Sequence, residues 1–103
     1  MANPMKIRAA VQGDVTDVRV LMAHDMETGL RKDSSGSPIP AHFIQLVTVK
    51  HNGKDVFSAQ WGTAIAKNPF VAFKFKGGKA GDKIQVNWVD NTGDTRTDET
   101  TIR

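Results

Sequence analysis

Lys83-Ile84-Gln85-Val86-Asn87-Trp88-Val89-Asp90, followed by the turn residues Asn91-Thr92-Gly93-Asp94, is the stretch whose pattern settles the fold class. Ile84, Val86 and Trp88 alternate with Gln85 and Asn87, a two-residue period that belongs to a strand with one face toward a core. Just upstream, Gly77-Gly78-Lys79-Ala80-Gly81-Asp82 reads as a turn. Before it, residues 70–76 alternate again, with Val71, Phe73 and Phe75 on one side and Ala72, Lys74 and Lys76 on the other. Downstream, residues 95–103 are threonine-rich and polar, which suits an exposed edge strand.

The same pattern extends toward the N-terminus. Asn68-Pro69 interrupts or begins a strand, because proline cannot donate to a central ladder. Asn52-Gly53 is the strongest short hairpin signal, joining residues 43–51 to residues 54–61. In the first of these runs Ile44, Leu46 and Thr48 share one side, and Phe43, Val47 and Val49 the other. In the second, Phe57, Ala59 and Trp61 share a face. Residues 5–12 and 15–23 alternate on either side of Gly13-Asp14 and read as neighbouring strands, since glycine takes the positive φ such turns need. Between residues 24 and 42 the pattern breaks into a loop with Gly29, Gly36, Pro38 and Pro40, long enough to be functional. About seven short strands at intervals of roughly 8–12 residues, with no convincing helix, make an all-β chain. The expected architecture is an immunoglobulin-like β-sandwich of about seven antiparallel strands, one domain over residues 1–103, with an open barrel as the structural alternative.

Composition narrows the chemistry. The chain has 103 residues, 39% of them hydrophobic and 24% charged, too apolar for intrinsic disorder. At this size roughly two thirds of the unfolded surface is buried, so the core is thin. Zero cysteines exclude a disulfide framework, a thiolate zinc site and a cysteine nucleophile on this chain. The net charge of +3, from 14 bases and 11 acids interspersed along the sequence, is a weak pointer to nucleic acid. No apolar run approaches the roughly 20 residues of a membrane span, and residues 1–7 lack the apolar core of a secretory signal.

Individual constellations carry little chemistry. His24, His42 and His51, with Asp25 and Glu27, are residue types that suit zinc or copper, but they lack ligand spacing. Loop-end histidines bonded to backbone are the plainer reading. The Gly77-Gly78-Lys79-Ala80-Gly81 run precedes a strand rather than a helix, so it is a turn and not a phosphate cradle. Lys74, Lys76, Lys79 and Lys83 read as a solvated face, since Phe73 and Phe75 point away from the strand lysines. No Ser, His and Asp set forms a catalytic motif. What remains is apolar surface in excess of one sandwich's needs: Phe43, Val47, Val49, Phe57, Trp61 and Phe70 compete for a second buried face, and a protein partner is the economical explanation.

Four blocks together carry a likeness: Met26-Glu27-Thr28-Gly29-Leu30-Arg31-Lys32-Asp33, Ile39-Pro40-Ala41-His42-Phe43-Ile44, Asn68-Pro69-Phe70, and Gly81-Asp82-Lys83 with Val86-Asn87-Trp88-Val89-Asp90. Over nearly its whole length the chain resembles the Z subunit of the sulfur-oxidation (Sox) carrier complex, the SoxZ family of thiosulfate-oxidizing bacteria. The resemblance implies a non-catalytic, immunoglobulin-like scaffold without a cofactor, in a heterodimer with the Sox Y subunit. That partner's C-terminal cysteine carries sulfur intermediates in turn to the Sox cytochrome, hydrolase and dehydrogenase components. It further implies a periplasmic location reached by export together with the Y subunit, and no nucleic-acid or membrane partner. On this reading Phe43, Phe57, Trp61 and Phe70 lie in or near the partner interface. Met26, Leu30 and Arg31 belong to the loop that shapes it or meets the enzymes. The competing expectations are that the aromatics fill the monomer core, that the chain is a free-standing homo-oligomeric binding module, or that the histidines serve a metal-assisted enzyme.

Overall fold

The computed structural model describes residues 3–103; Met1 and Ala2, the first two residues of the start read above for an export signal, lie outside the described residues. Seven strands follow in chain order: β1 (Lys6–Gln12), β2 (Val15–Leu21), β3 (Ile44–His51), β4 (Lys54–Gln60), β5 (Phe70–Lys76), β6 (Lys83–Asp90) and β7 (Thr95–Thr101). They form a three-stranded sheet, β1-β2-β5, and a four-stranded sheet, β4-β3-β6-β7, with every pairing antiparallel. This is the two-sheet sandwich that the alternation implies. Strand ends differ from the sequence reading by one or two residues, and β7 is an edge strand as its composition requires.

The core is the inward half of each alternation. Val18 and Val20 of β2 meet Val47 and Val49 of β3 and Ile84, Val86 and Trp88 of β6, all buried. Each such aliphatic side chain contributes about 1.5–3 kcal/mol on leaving water, so the three central strands dominate stability. One sequence expectation fails here. Ile44 is buried with Val47 and Val49, whereas Leu46 faces outward. Ile44 pairs with Asp90 but Leu46 with Val89, so Gln45 is an extra residue in a β-bulge, and a bulge reverses the side-chain parity that strict alternation assumes.

The two sides of the sandwich are finished differently. Where β1 approaches β7, the chain end stitches them: Arg103 N donates to Ala9 O at 3.0 Å and Val11 N to Arg103 O at 3.1 Å. On the other side β4 and β5 are each the last strand of a sheet, and no backbone hydrogen bond joins them among the described residues. Their inward aromatics fill the gap incompletely. Phe57 stacks on Phe73 with ring centroids 4.5 Å apart, and Phe75, Trp61 and Val71 stay half-buried beside them.

The long loop is an irregular two-stranded arm. Glu27 and His42 exchange both backbone hydrogen bonds at its root, and Ile39 N donates to Arg31 O farther out. At the tip the Asp33 carboxylate accepts from Ser35 N, Ser35 Oγ and Ser37 N. The molecule measures 54 × 19 × 18 Å. Strands of this length span only about 27 Å, so the arm supplies much of the remaining length.

Candidate functional site

The root of the arm converges on one carboxylate. Asp90 ends β6 on the inward parity of Ile84, Val86 and Trp88, and its residue is only 2% exposed. Its Oδ2 accepts from His24 Nε2 at 3.0 Å and from His42 Nε2 at 2.8 Å. Its Oδ1 accepts from Thr92 N, Thr92 Oγ1 and Asp94 N at 2.9, 2.7 and 3.0 Å. Burial pushes the Asp90 carboxyl up, but the hydrogen bonds from His24, Thr92 and His42 outweigh it and hold the group well below the usual carboxylate range. Asn91 completes the root. Its side chain donates to Ala41 O and accepts from Phe43 N, so the β6–β7 turn grips the descending side of the arm.

The histidine rings pack at 4.5 Å from one another, and His24 stands perpendicular to Trp88 at 5.0 Å. Met26 takes a positive φ of 52°, turning its N–H back onto His24 Nδ1 at 3.0 Å. That contact sets the tautomer: Nδ1 accepts, so Nε2 carries the proton and donates to Asp90. The His24 backbone is also fixed, by Asn68 Oδ1 accepting from its N–H and Asn68 N donating to its carbonyl.

His24, His42 and Asp90 have ligand atoms within 4.8 Å of one another, close enough to be weighed as a metal centre. The hydrogen bonds oppose that use. A cation on His24 Nε2 moves the ring proton to Nδ1, against the Met26 N–H, whereas ligating histidines normally donate their second nitrogen to an acceptor. Leaving a buried donor unmet costs about 1–3 kcal/mol. The arrangement is a clasp that ties both ends of the arm to the sandwich. Adding zinc ions to the purified chain is therefore expected to leave its thermal midpoint unchanged; a stoichiometric rise would establish a metal site instead.

His24 and His42 thus do come together, but with Asp90 rather than with Asp25 or Glu27; the expected ring-to-backbone bond is present at His24, whose Nδ1 accepts from Met26 N, while both Nε2 atoms bond to the carboxylate. His51 behaves alike at the opposite end, with Nε2 2.8 Å from Asp82 Oδ2. Its hydrogen bond is the main reason that the Asp82 carboxyl lies below its ordinary range, against desolvation. Asp90 was absent from the sequence candidates. The signal was available in its parity with Trp88, but the two histidine partners lie 66 and 48 residues away.

The expected partner-binding residues fall into five places. Met26 is 5% exposed and packs in the core, its Sδ against Ile44 N, so it shapes the root and offers little surface. Leu30 stands 87% exposed on the arm, and Arg31 beside it holds Glu27 through Nε at 3.1 Å and a second guanidinium nitrogen. Between Glu27, Thr28 and Arg31 on the arm and residues Thr63, Ala64, Ile65, Ala66 and Lys67 lies a cleft of about 630 Å³. Phe43 is half-buried at the arm's foot, while Phe57 and Trp61 line the open β4/β5 seam. Phe70 is separated from that set. It points outward from β5, 62% exposed, opposite Leu21 of β2, because residues 71, 73 and 75 take the inward parity.

Solved structures share this architecture. A superoxide reductase (neelaredoxin) from Ignicoccus hospitalis superposes with a TM-score of 0.66 at 18% identity, covering 99% of this chain and 80% of that one. A hypothetical protein from Pyrococcus horikoshii OT3 gives 0.67 at 17% identity, with coverages of 99% and 89%. A superoxide reductase in the oxidized state gives 0.64 at 17% identity, with coverages of 96% and 86%. At these identities the likeness is one of fold. No curated protein matches the chain at a significant level. A family model described as sulphur oxidation protein SoxZ matches residues 5–101.

Proposed function

Because the chain belongs to the sulphur oxidation protein SoxZ family, with a role in sulfur oxidation, we propose that this role is that of a non-catalytic scaffold paired with the Sox Y subunit. In this reading the partner's C-terminal cysteine carries the sulfur, the pair works in the periplasm after joint export, and it docks in turn to the Sox cytochrome, hydrolase and dehydrogenase components. The observation that carries the reading is compositional: none of the 103 residues is a cysteine, so this chain has no thiol on which a persulfide could form. The Asp90 cluster supports it, since its hydrogen bonds engage the carboxylate and the His24 ring internally and leave neither for acid–base work on a substrate.

The open seam between β4 and β5 is the surface we assign to the Y subunit. Half-exposed Phe57, Trp61 and Phe73 beside two unpaired strand edges combine apolar area with backbone groups ready to pair. Leu30 and Arg31 on the arm are assigned to the enzymes. Trp61→Asp is expected to weaken the one-to-one complex at least tenfold in Kd, about the effect of losing an aromatic anchor, read by co-elution with the Y subunit. Unchanged co-elution refutes the seam. The bare edges also favour a second reading, a self-associating module. A stable heterodimer formed at the expense of homo-oligomers disposes of it.

A further inference from the structure

The outer face of the β1-β2-β5 sheet collects the chain's positive excess. Outward positions, row by row from the arm end, are Lys6, Leu21 and Phe70; Arg8, Arg19 and Ala72; Ala10, Asp17 and Lys74; Gln12, Val15 and Lys76. Five cations stand there against one acid, a surplus of four, while the rest of the chain carries nine bases and ten acids. Charges interspersed along the sequence become one-sided once the register is fixed.

Three local features of this face point to a ligand. Arg8 and Arg19 are direct cross-strand partners, an arrangement that is repulsive unless an anion intervenes. Arg19 reaches Asp17 only at 3.5 Å, and Arg8 has no ion pair among the described residues. Beside them a recess of about 300 Å³ is lined by Arg8, Ala9, Ala10, Asp17, Arg19 and Arg103, three arginines against one aspartate. One strand repeat away, about 7 Å, the Leu21–Phe70 pair exposes apolar surface, 41% and 62% of each residue.

We infer that this face docks an acidic protein segment, with a carboxylate seated between Arg8, Arg19 and Arg103 and a neighbouring apolar side chain on Leu21 and Phe70. Arginine forks match carboxylates in bidentate geometry, and charge complementarity on this scale steers encounter. The apolar pair favours a protein over a phosphate chain or a free anion, neither of which brings an aliphatic group to lay on it. A single aromatic at one end of the face is also poor provision for stacking successive bases. The surface is distinct from the β4/β5 seam, so the inference goes beyond the scaffold reading and does not depend on it.

The test uses the full ¹⁵N-labelled chain and an acetylated, amidated peptide of glutamates with a central phenylalanine. The expected result is amide shifts confined to β1, β2, β5 and the C-terminal residues, with affinity falling roughly tenfold between about 50 and 300 mM salt as screening shortens. Arg8→Glu with Arg19→Glu abolishes binding, the milder Arg8→Gln with Arg19→Gln weakens it, and Phe70→Ala weakens it severalfold. Lys83→Glu on the opposite sheet leaves it intact. Shifts elsewhere, or binding unchanged in both arginine pairs, overturn the inference. So does tighter binding of oligothymidylate or of phosphatidylglycerol vesicles, or displacement of the peptide by stoichiometric sulfate. Co-elution with the Y subunit is scored separately, so the two readings fail independently.

Discussion

Asp90→Asn is expected to cost about 3–5 kcal/mol, in the range for breaking one side of a buried charged network. The side chain keeps its shape but exchanges one acceptor oxygen for an NH₂ group. If its oxygen serves Thr92 and Asp94, the amide faces the Nε2 protons of His24 and His42; if the reverse, it faces the donors of the β6–β7 turn. His24 cannot adjust by changing tautomer, because Met26 N–H occupies its other nitrogen. For a domain near 100 residues each kcal/mol shifts the midpoint by about 4–8 °C, so a fall of roughly 12 °C or more is anticipated by calorimetry.

The same substitution has a pH signature of definite sign. The folded-state pKa of Asp90 lies below its unfolded value, so its contribution is fully present above the unfolded value of about 3.9 and is lost as pH falls toward the folded one. The stability gap between wild type and Asp90→Asn should therefore narrow by about 1 kcal/mol between pH 7 and pH 3 in urea titrations. An unchanged gap, or equal midpoints at neutral pH, would show that the clasp does not hold the fold.

Gly78→Ala is the second large effect. Gly78 has a φ of +85°, where an L side chain is strained by about 1–2 kcal/mol. A Cβ there also runs into Thr16 Oγ1, well inside contact distance, and meets Ile102 Cδ1 at 3.3 Å. Thr16 is fully buried and donates from Oγ1 to Gly77 O at 2.7 Å, so it cannot withdraw without leaving a polar group unmet. Strain and overpacking together make about 2–5 kcal/mol. Gly77→Ala is the control. Its φ is +106°, but nothing lies within 4 Å of the added atom, so only the backbone part is lost. Matching denaturation midpoints for the two variants would contradict the steric argument.

These particulars show how far the sequence could be read. Asn52 and Gly53 carry φ values of 49° and 86°, the left-handed pair that their dipeptide advertises, and strand periodicity located every sheet element. Periodicity says which side a residue takes, not what it meets there. Asp90 had the inward parity, yet its histidines come from the two ends of the arm, and only the packed fold joins them. The Gln45 bulge likewise left no local mark, so Leu46 was placed with Ile44. The basic face needed the pairing of β1 with β2 and of β2 with β5 before alternation along each strand could become a surface. The aromatic residues were legible as a group, but not as two groups on different faces.

The bare margins of β4 and β5 bear on how such a chain has to be made. Two unsatisfied rows of peptide groups bordering phenylalanine and tryptophan are a template for sheet-to-sheet polymerisation. Synthesis in excess of whatever covers that margin turns surplus copies against one another. Under the proposed pairing, balanced dosage of the two polypeptides, through coupled translation or rapid proteolysis of orphans, is then a requirement set by the shape of a single seam.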